Sequence, residues 1–442
     1  MSARVYSAPW VLLGRRPTAT QPRGCAPSPS PGPSPSPVSG GGSGAGSFTG
    51  SRPTPTPAAI RDGAIALDGD RILAVGPRAE IEARHGAGDR LDAVILPALV
   101  NAHLHLELSH MAGRVAGGEG LAAWIQLLLS ARALVHNDEA VQAAIMSAED
   151  LVRAGVAAVG DVSNTLGSVA PLAAAGLCGT VYHEVFGMTP ARIEAALAAA
   201  RAARTASTPA PGLRVALSPH AIYSTHGPTL AQLLRAGPAS IHLAEDRAER
   251  ALCATGTGDF ARMFVSLGAP PALRPKARSA VAFVAEHLAP HHLAVHCVDV
   301  DEDDVLLLAR SGATVVLCPR SNRFIGGTLP PVAALLAAGV RLAVGTDSLA
   351  SCPSLAPLAD LALLRRELPE IPAATLLPLA WNGPAVGAPH VGALVPGAAP
   401  GVLAAPLRGA RVDDPFEFVV SVVGAEERPF TWLARQRAEG LA

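Results

Sequence analysis

Ala93-Val-Ile-Leu-Pro-Ala-Leu-Val-Asn-Ala-His103-Leu-His105 is an apolar run that ends in two histidines one residue apart. Read as a strand, its side chains alternate faces, so His103 and His105 project to the same side at its carboxyl end. Two imidazoles side by side there can hold one metal ion. A single His-x-His equally fits two loop histidines that satisfy backbone groups. The weight of the pair comes from the residues that keep it company downstream.

Beyond that run, short apolar stretches alternate with alanine- and leucine-rich ones. The strand-like stretches are Val94–His105, Val156–Asn164, Gly179–Val185, Arg214–His220, Ser240–Glu245, Leu293–Val298, Thr314–Pro319 and Arg341–Ser348. Helices are expected between them, over Asp138–Ala154, Pro190–Arg204, Glu302–Arg310 and Pro331–Ala338 among others. Strands separated by helices pair in parallel through crossovers. Eight such units predict an α/β fold, a (β/α)8 TIM barrel over residues 93–389. A doubly wound open sheet is the rival, but no G-x-G-x-x-G follows the first strand.

The flanks read differently. Ala3–Leu13, Gly63–Leu67 and Arg71–Val75 are strand-like, the last two joined as a hairpin at Asp68-Gly69-Asp70. Val391–Val423 returns to short strand-like pieces. These segments predict a small β-sandwich domain built from residues 1–92 and 390–442. Residues 18–57 within it are Pro, Ser, Gly and Thr with almost nothing apolar to bury, the composition of a disordered insertion.

Composition excludes some partners. Charged residues make up 16% of the chain and the formal net charge is −1, so no basic field invites nucleic acid or an anionic membrane. No apolar stretch reaches the length of a membrane span, and Met1–Arg16 lacks the pattern of a secretion signal. Six cysteines without a C-x-x-C pair fit free thiols in a reducing cytoplasm. Neither nucleic acid nor membrane is expected as a partner; a small-molecule substrate is, on the strength of the site residues that follow.

Barrel enzymes carry their chemistry at the carboxyl ends of the strands. Those ends read His103 and His105, then Ser218-Pro-His220, His242-Leu-Ala-Glu245, His296, and Gly345-Thr-Asp347-Ser348. Each alone has an ordinary explanation: His220 satisfying a loop carbonyl, His296 as a buried neutral imidazole, Asp347 as a helix cap. Together on one rim they form a donor set suited to a catalytic divalent metal, zinc or alternatively iron. Such a metal lowers the pKa of its water to about 7, and a carboxylate then carries a proton to the substrate. Glu245, three residues after His242, is placed for that transfer without being a ligand. Asp347 can bind metal and accept a proton. The sole lysine, Lys276, falls in a segment read as helical between the fifth and sixth strands. No lysine bridge to a second metal is therefore at hand, and one ion per chain is expected.

These residues resemble the amidohydrolase superfamily, and within it the adenine-type deaminase branch. The resemblance rests on Tyr6-Ser-Ala-Pro-Trp10, Leu99-Val-Asn-Ala-His103-Leu-His105-Leu-Glu107-Leu-Ser109, Ser218-Pro-His220-Ala-Ile-Tyr223-Ser224, His242-Leu-Ala-Glu245, His296-Cys297, Cys318-Pro-Arg-Ser321-Asn322 and Gly345-Thr-Asp347-Ser348. It implies that His103, His105, His242 and Asp347 are metal ligands, that Glu245 is the proton shuttle and that His296 holds the attacking hydroxide. His220 resembles a substrate-contacting histidine. Glu107, Trp124 and Ser348 are further candidates for the substrate pocket, Trp124 fitting helix packing equally well. The implied reaction is hydrolytic deamination of an adenine-containing nucleoside. The segments around Glu107 and Trp124 look most like the aminodeoxyfutalosine deaminases of the alternative menaquinone route. S-adenosylhomocysteine, methylthioadenosine, guanine and triazine-type rings are the alternative substrates, and a non-catalytic scaffold is the alternative of another class. A homodimer follows from the resemblance alone. Two departures stand out: Gly397-Ala-Ala-Pro-Gly401-Val-Leu replaces the usual Gly-Lys-x-Ala-Asp-Leu, and Ile222 stands where proline is common.

Overall fold

The computed structural model describes residues 3–15, 58–206 and 210–435, and in it Pro97 divides the run quoted above. Ala93–Pro97 is a strand of a terminal sheet, whereas Leu99–Leu104 is the first strand of the barrel. One strand expected over Val94–His105 is thus two. Proline has no N–H to give to a ladder, so pairing changes partner there. The Ala98 N–H turns to Gly401 O at 3.0 Å, and the Leu99 N–H to Gly155 O at 2.9 Å.

The barrel strands follow in chain order. Leu99–Leu104, Val156–Ser163, Cys178–Val185 and Leu213–Pro219 form one parallel set of four, and Ser240–Leu243, Leu293–His296, Thr314–Leu317 and Arg341–Val344 another. Parallel bridges Ala221–His242 and Leu104–Asp347 join the two sets at both seams. At one seam the His242 N–H donates to His220 O at 2.9 Å; at the other the N–H groups of Thr346 and Asp347 donate to His103 O at 2.9 and 3.1 Å. The sheet closes, as the sequence pattern predicts. The seams run through the residues of the strand-end motifs, so closing the barrel and assembling the site are one event.

Helices cover the outside. Asn137–Arg153 buries Ala144, Ala148 and Leu151 on one face, and its acidic first turn and basic last turn complement the helix dipole. Glu302–Ser311 starts on a capping box of Asp301 and Asp304 and stops at Gly312 in the left-handed region. Several strands end earlier than expected: Thr314–Leu317 stops before Pro319, which opens the helix Pro319–Ile325. His220, Glu245, Asp347 and Ser348 accordingly stand in the turns just past their strands.

Both termini meet in one seven-stranded sheet ordered Thr431–Ala434, Val402–Pro406, Ala93–Pro97, Arg4–Leu12, Ala59–Asp68, Arg71–Pro77, with Asp89–Arg90 beside Arg4–Leu12. The expected hairpin turns at Gly69, whose φ of 61° suits a residue without Cβ. Ile72, on the strand at one end of the sheet, exchanges backbone hydrogen bonds with Gly397 and Ala398, just ahead of Val402–Pro406, the second strand from the other end. Ala8, Val11, Ile65, Leu67, Ile72 and Val402 pack in one cluster there.

Two expectations change. Of Val391–Val423 only Val402–Pro406 is a strand, and the valine-rich Phe418–Gly424 is helical, with a π-type turn. Asp414 caps the preceding turn, Pro415 starts it, and Val419, Val420 and Val423 are buried, so packing overrides the β-propensity of valine. The helix Pro357–Glu367 lies so close that a Cβ on Gly424 would stand 2.6 Å from Leu358 O. Lys276 sits exposed in coil, not in a helix. The insertion expected at residues 18–57 lies outside the described residues. Among the described residues the five cysteines Cys178, Cys253, Cys297, Cys318 and Cys352 are free thiols, and no helix is long and apolar enough to cross a membrane.

Candidate metal centre and active site

Four of the predicted residues converge. The Nε2 atoms of His105 and His242 stand 3.2 Å apart, and Asp347 Oδ1 lies 3.4 Å from His105 Nε2 and 3.7 Å from His103 Nε2. Ligands bonded to one tetrahedral zinc at roughly 2.0–2.1 Å sit about 3.3 Å from one another. The observed spacings therefore suit a shared ion, whereas apposed carboxylate and neutral imidazoles alone leave atoms unsatisfied. Both ring nitrogens of His103 are indeed buried without a hydrogen-bond partner. A buried polar atom left so is costly, and a metal removes that cost.

Backbone shape aims these groups. The register between the first two barrel strands is irregular from Asn101 to Leu104, the stretch that carries His103. Such irregularities re-aim side chains beside active sites. Ala244, His296, Cys297 and Asp347 all have positive φ, between 50° and 75°. Non-glycine residues adopt that region at a cost, and they do so where surrounding structure enforces it.

Burial sets the protonation states. It depresses His242 and His220 to about 4, and holds His105 and His296 well below the usual histidine range, so all four rings are neutral at neutral pH. Neutral imidazoles are what a metal needs. Asp347 goes the other way from its surroundings: burial alone would raise it, but the neighbouring imidazoles of His103, His105 and His296 hold it below the ordinary carboxylate range. The hydroxyls of Ser321 and Ser351 also donate to its Oδ2, at 2.6 and 3.1 Å. Glu245 is pushed well above the carboxylate range by burial first, then by Asp347, Glu249 and Asp246. Its Oε2 stands 3.5 Å from His296 Nε2. Glu245, His296 and Asp347 form one cluster, which shares Asp347 with the ligand set.

The other candidates divide. His220 is in the site: its ring centroid lies 4.8 Å from that of His242, and Ser224 holds its Nδ1. The Ser348 hydroxyl is buried one residue past Asp347 with no partner. Glu107 instead ties down the turn after the second barrel strand, accepting from Ser163 Oγ at 2.8 Å, Asn164 N at 2.9 Å and Thr165 Oγ1 at 2.9 Å. Trp124 packs in the core of the helix Leu121–Arg132, with its indole N–H unpartnered. The start of that helix is close to Glu245: Gly120, Leu121, Glu245, Asp246, Asn322 and Ile325 line one cavity of about 480 Å³.

Sequence reading missed several supports. Asn322 Nδ2 lies 3.0 Å from His296 Nδ1, which fixes that ring. Asp161 accepts the Leu106 N–H at 2.9 Å and so sets the turn after His105; burial raises it to about 7. Glu184 stands 3.4 Å from His242 Nδ1 and is buried, with Oε1 otherwise unpartnered. Glu184 was findable by the strand-end rule, since it is the penultimate residue of the third barrel strand. Asp161 gave no such signal, because it lies mid-strand.

A model of the amidohydrolase family matches residues 94–380, the whole barrel and well over half the chain. The chain belongs to the amidohydrolase family. It is a hydrolase acting on carbon–nitrogen bonds. A second model, for an imidazolonepropionase-like composite domain of bacteria, matches residues 63–87 in the terminal sheet. The chain is 33% identical to an aminodeoxyfutalosine deaminase of Deinococcus radiodurans over 349 residues, 73% of this chain and 80% of that one. It is 30% identical to a 5-methylthioadenosine/S-adenosylhomocysteine deaminase of Nitratidesulfovibrio vulgaris, covering 76% of this chain and 78% of that one. In structure it resembles the Helicobacter pylori aminofutalosine deaminase solved with methylthio-coformycin, at a TM-score of 0.76 and 18% identity over 97% of each chain. That likeness is one of fold.

Proposed function

We propose that this amidohydrolase is a metal-dependent deaminase of adenine-containing nucleosides that releases ammonia, with 6-aminodeoxyfutalosine as its first-choice substrate. The observation that carries the reading is a pair of carboxyl groups of opposite character beside one ligand set. Asp347 sits in the ligand set and accepts from the Ser321 and Ser351 hydroxyls, whereas burial pushes Glu245 well above the carboxylate range 3.5 Å from His296 in the same cluster. Environments that push two titratable groups apart assign acid and base. The names of the two relatives above point to the same ring chemistry, and the first of them to the first-choice substrate.

His103, His105, His242 and Asp347 would hold one zinc ion per chain, with iron accepted by the same donors. When bound, the ion supplies Lewis acidity and lowers the pKa of water. The residues do the rest. His296, its Nδ1 side fixed by Asn322, presents Nε2 to orient the attacking water. Asp347 accepts that water's proton. Glu245 gives its proton to the ring nitrogen next to the carbon that bears the amino group, then mediates proton return to the departing ammonia. One water is consumed and one ammonia released. His220 and Ser348, with a ring face and an unpartnered hydroxyl at the same rim, contact the nucleoside; Glu107 and Trp124 act one layer out, through the turn at residues 163–165 and the helix start. On this reading the enzyme works in the cytoplasm.

Ammonia release and the ultraviolet shift of adenine deamination are measured with aminodeoxyfutalosine, S-adenosylhomocysteine, methylthioadenosine, adenosine and guanine. The expected result is turnover of adenine nucleosides, with the highest kcat/KM for aminodeoxyfutalosine. No turnover of any of them by zinc-loaded protein refutes the proposal.

A further inference from the structure

Glu249 is a fully buried carboxyl on the helix Arg247–Ala254, directly after the fifth barrel strand. Its Oε1 accepts the N–H of Glu245 at 2.7 Å and its Oε2 the N–H of Ala244 at 3.2 Å. Burying such a group is costly unless hydrogen bonds compensate it, and bonds from backbone N–H groups are what it has in place of an ion pair. The helix does not need it as a cap, since Asp246 already accepts from Ala248 N at 2.8 Å. In a capping box the third helical residue reaches back to the cap itself; here it also reaches beyond the cap, to the two residues before it.

Those two residues form the turn that presents Glu245. Ala244 has a φ of 51°, a conformation non-glycine residues rarely hold unaided. The other side of the turn is bonded to the strand that carries His296. Ala244 O accepts the N–H groups of Val298 and Asp299, both at 2.8 Å, and Leu243 O accepts that of Cys297 at 3.0 Å. Arg250, the next residue on the helix, grips that second turn through Asp299, with Nε to Oδ2 at 2.7 Å and Nη2 to the carbonyl at 2.9 Å. Adjacent residues of one helix therefore clamp both turns, and Glu245 and His296 meet between them at 3.5 Å.

We propose that Glu249 is a positioning residue for the proton shuttle: its carboxyl holds the strained Ala244–Glu245 turn and thereby aims the Glu245 side chain at His296. The inference rests on the role given to Glu245 above. Glu249→Gln leaves one oxygen for two N–H groups, and Glu249→Met leaves none at similar volume. Hydrogen exchange at the Ala244 and Glu245 amides needs no substrate and is expected to quicken in both variants, while protection in the barrel strands stays. On whichever nucleoside the wild type turns over, kcat is expected to fall on the order of 10²-fold with KM and zinc content held, the scale of a displaced catalytic group. The double variant Glu245→Gln/Glu249→Gln is expected to be no slower than Glu245→Gln alone, because the second residue acts through the first. Wild-type kcat in Glu249→Gln, losses that multiply in the double variant, lost zinc, or failure of both variants to fold each overturn the proposal. If the wild type turns over no nucleoside, the proposed function falls, and the exchange rates still decide this one: unchanged exchange at the two amides overturns it.

Discussion

Glu245→Gln separates chemistry from assembly. Glutamine has the shape of glutamate, so it fits a site where the side chain is 6% exposed, and the backbone bond from residue 245 to Glu249 at 2.7 Å is untouched. The ligand atoms of His103, His105, His242 and Asp347 are unaffected. What disappears is the proton that Glu245 carries 3.5 Å from His296. Loss of a positioned acid–base group costs 10²–10⁴-fold in rate, which is about 2.7–5.4 kcal/mol of barrier. Stability moves the other way. The folded pKa of Glu245 lies well above 4.5, so above that pH the unfolded chain gains by ionising a group the fold keeps neutral. Glutamine removes that penalty, and the variant is expected to match or exceed the wild-type Tm at neutral pH, by a margin that grows as pH rises from 4.5. Steady-state ammonia release, elemental analysis and thermal melts at several pH values read all three quantities. A kcat loss below tenfold, or loss of the metal, would refute the assignment of Glu245 as a shuttle that is not a ligand.

Three other outcomes follow from the geometry. His103→Asn withdraws a donor at the centre of the ligand set and is expected to abolish stoichiometric metal, and activity with it, while the barrel stays folded by circular dichroism; full zinc in this variant contradicts the ligand assignment. Phe260 is fully buried and stacks at 4.0 Å on Tyr223, which flanks His220 at 5.6 Å, so Phe260→Ala is expected to cost about 3–5 kcal/mol and to raise KM more than it lowers kcat; denaturant melts and kinetics check both. Burial would raise Asp301, but the Asp304 N–H, Arg278 and Arg250 outweigh it and bring it to about 2, so its contribution is present above pH 3.8 and lost as pH falls towards 2. Asp301→Ala, which also removes a helix cap, is expected to lower stability by about 1 kcal/mol at neutral pH and to flatten the acid limb of a pH-dependent melt.

The barrel and the convergence of the candidate ligands were legible because each depends on local pattern. Apolar strands end in histidines, and the eighth ends in Thr346-Asp347-Ser348, whatever the distant chain does. Bonds across the barrel seams then bring together side chains that the sequence already places at strand ends. Illegible features depend on tertiary contact. Pro97 is an ordinary residue of an apolar run until the two halves find different sheets. Phe418–Gly424 reads as a strand until Asp414 caps it and the helix Pro357–Glu367 covers its valines. Glu107 lies beside the ligand motif, and only the fold reveals that its carboxylate accepts hydrogen bonds from residues 163–165. Left-handed backbone at Ala244, His296 and Asp347 leaves no trace in residue type, because glycine stands at none of these positions.

On the proposed function, one ion held by His103, His105, His242 and Asp347 makes this barrel a deaminase. Chelator-stripped protein titrated with zinc in the presence of the best adenine nucleoside tests it most directly. Ammonia release is expected to be absent without metal, to rise linearly with added zinc and to level off at one equivalent per chain. Activity that survives stripping, or that climbs to a plateau at two equivalents, rules out a deaminase that works through one ion.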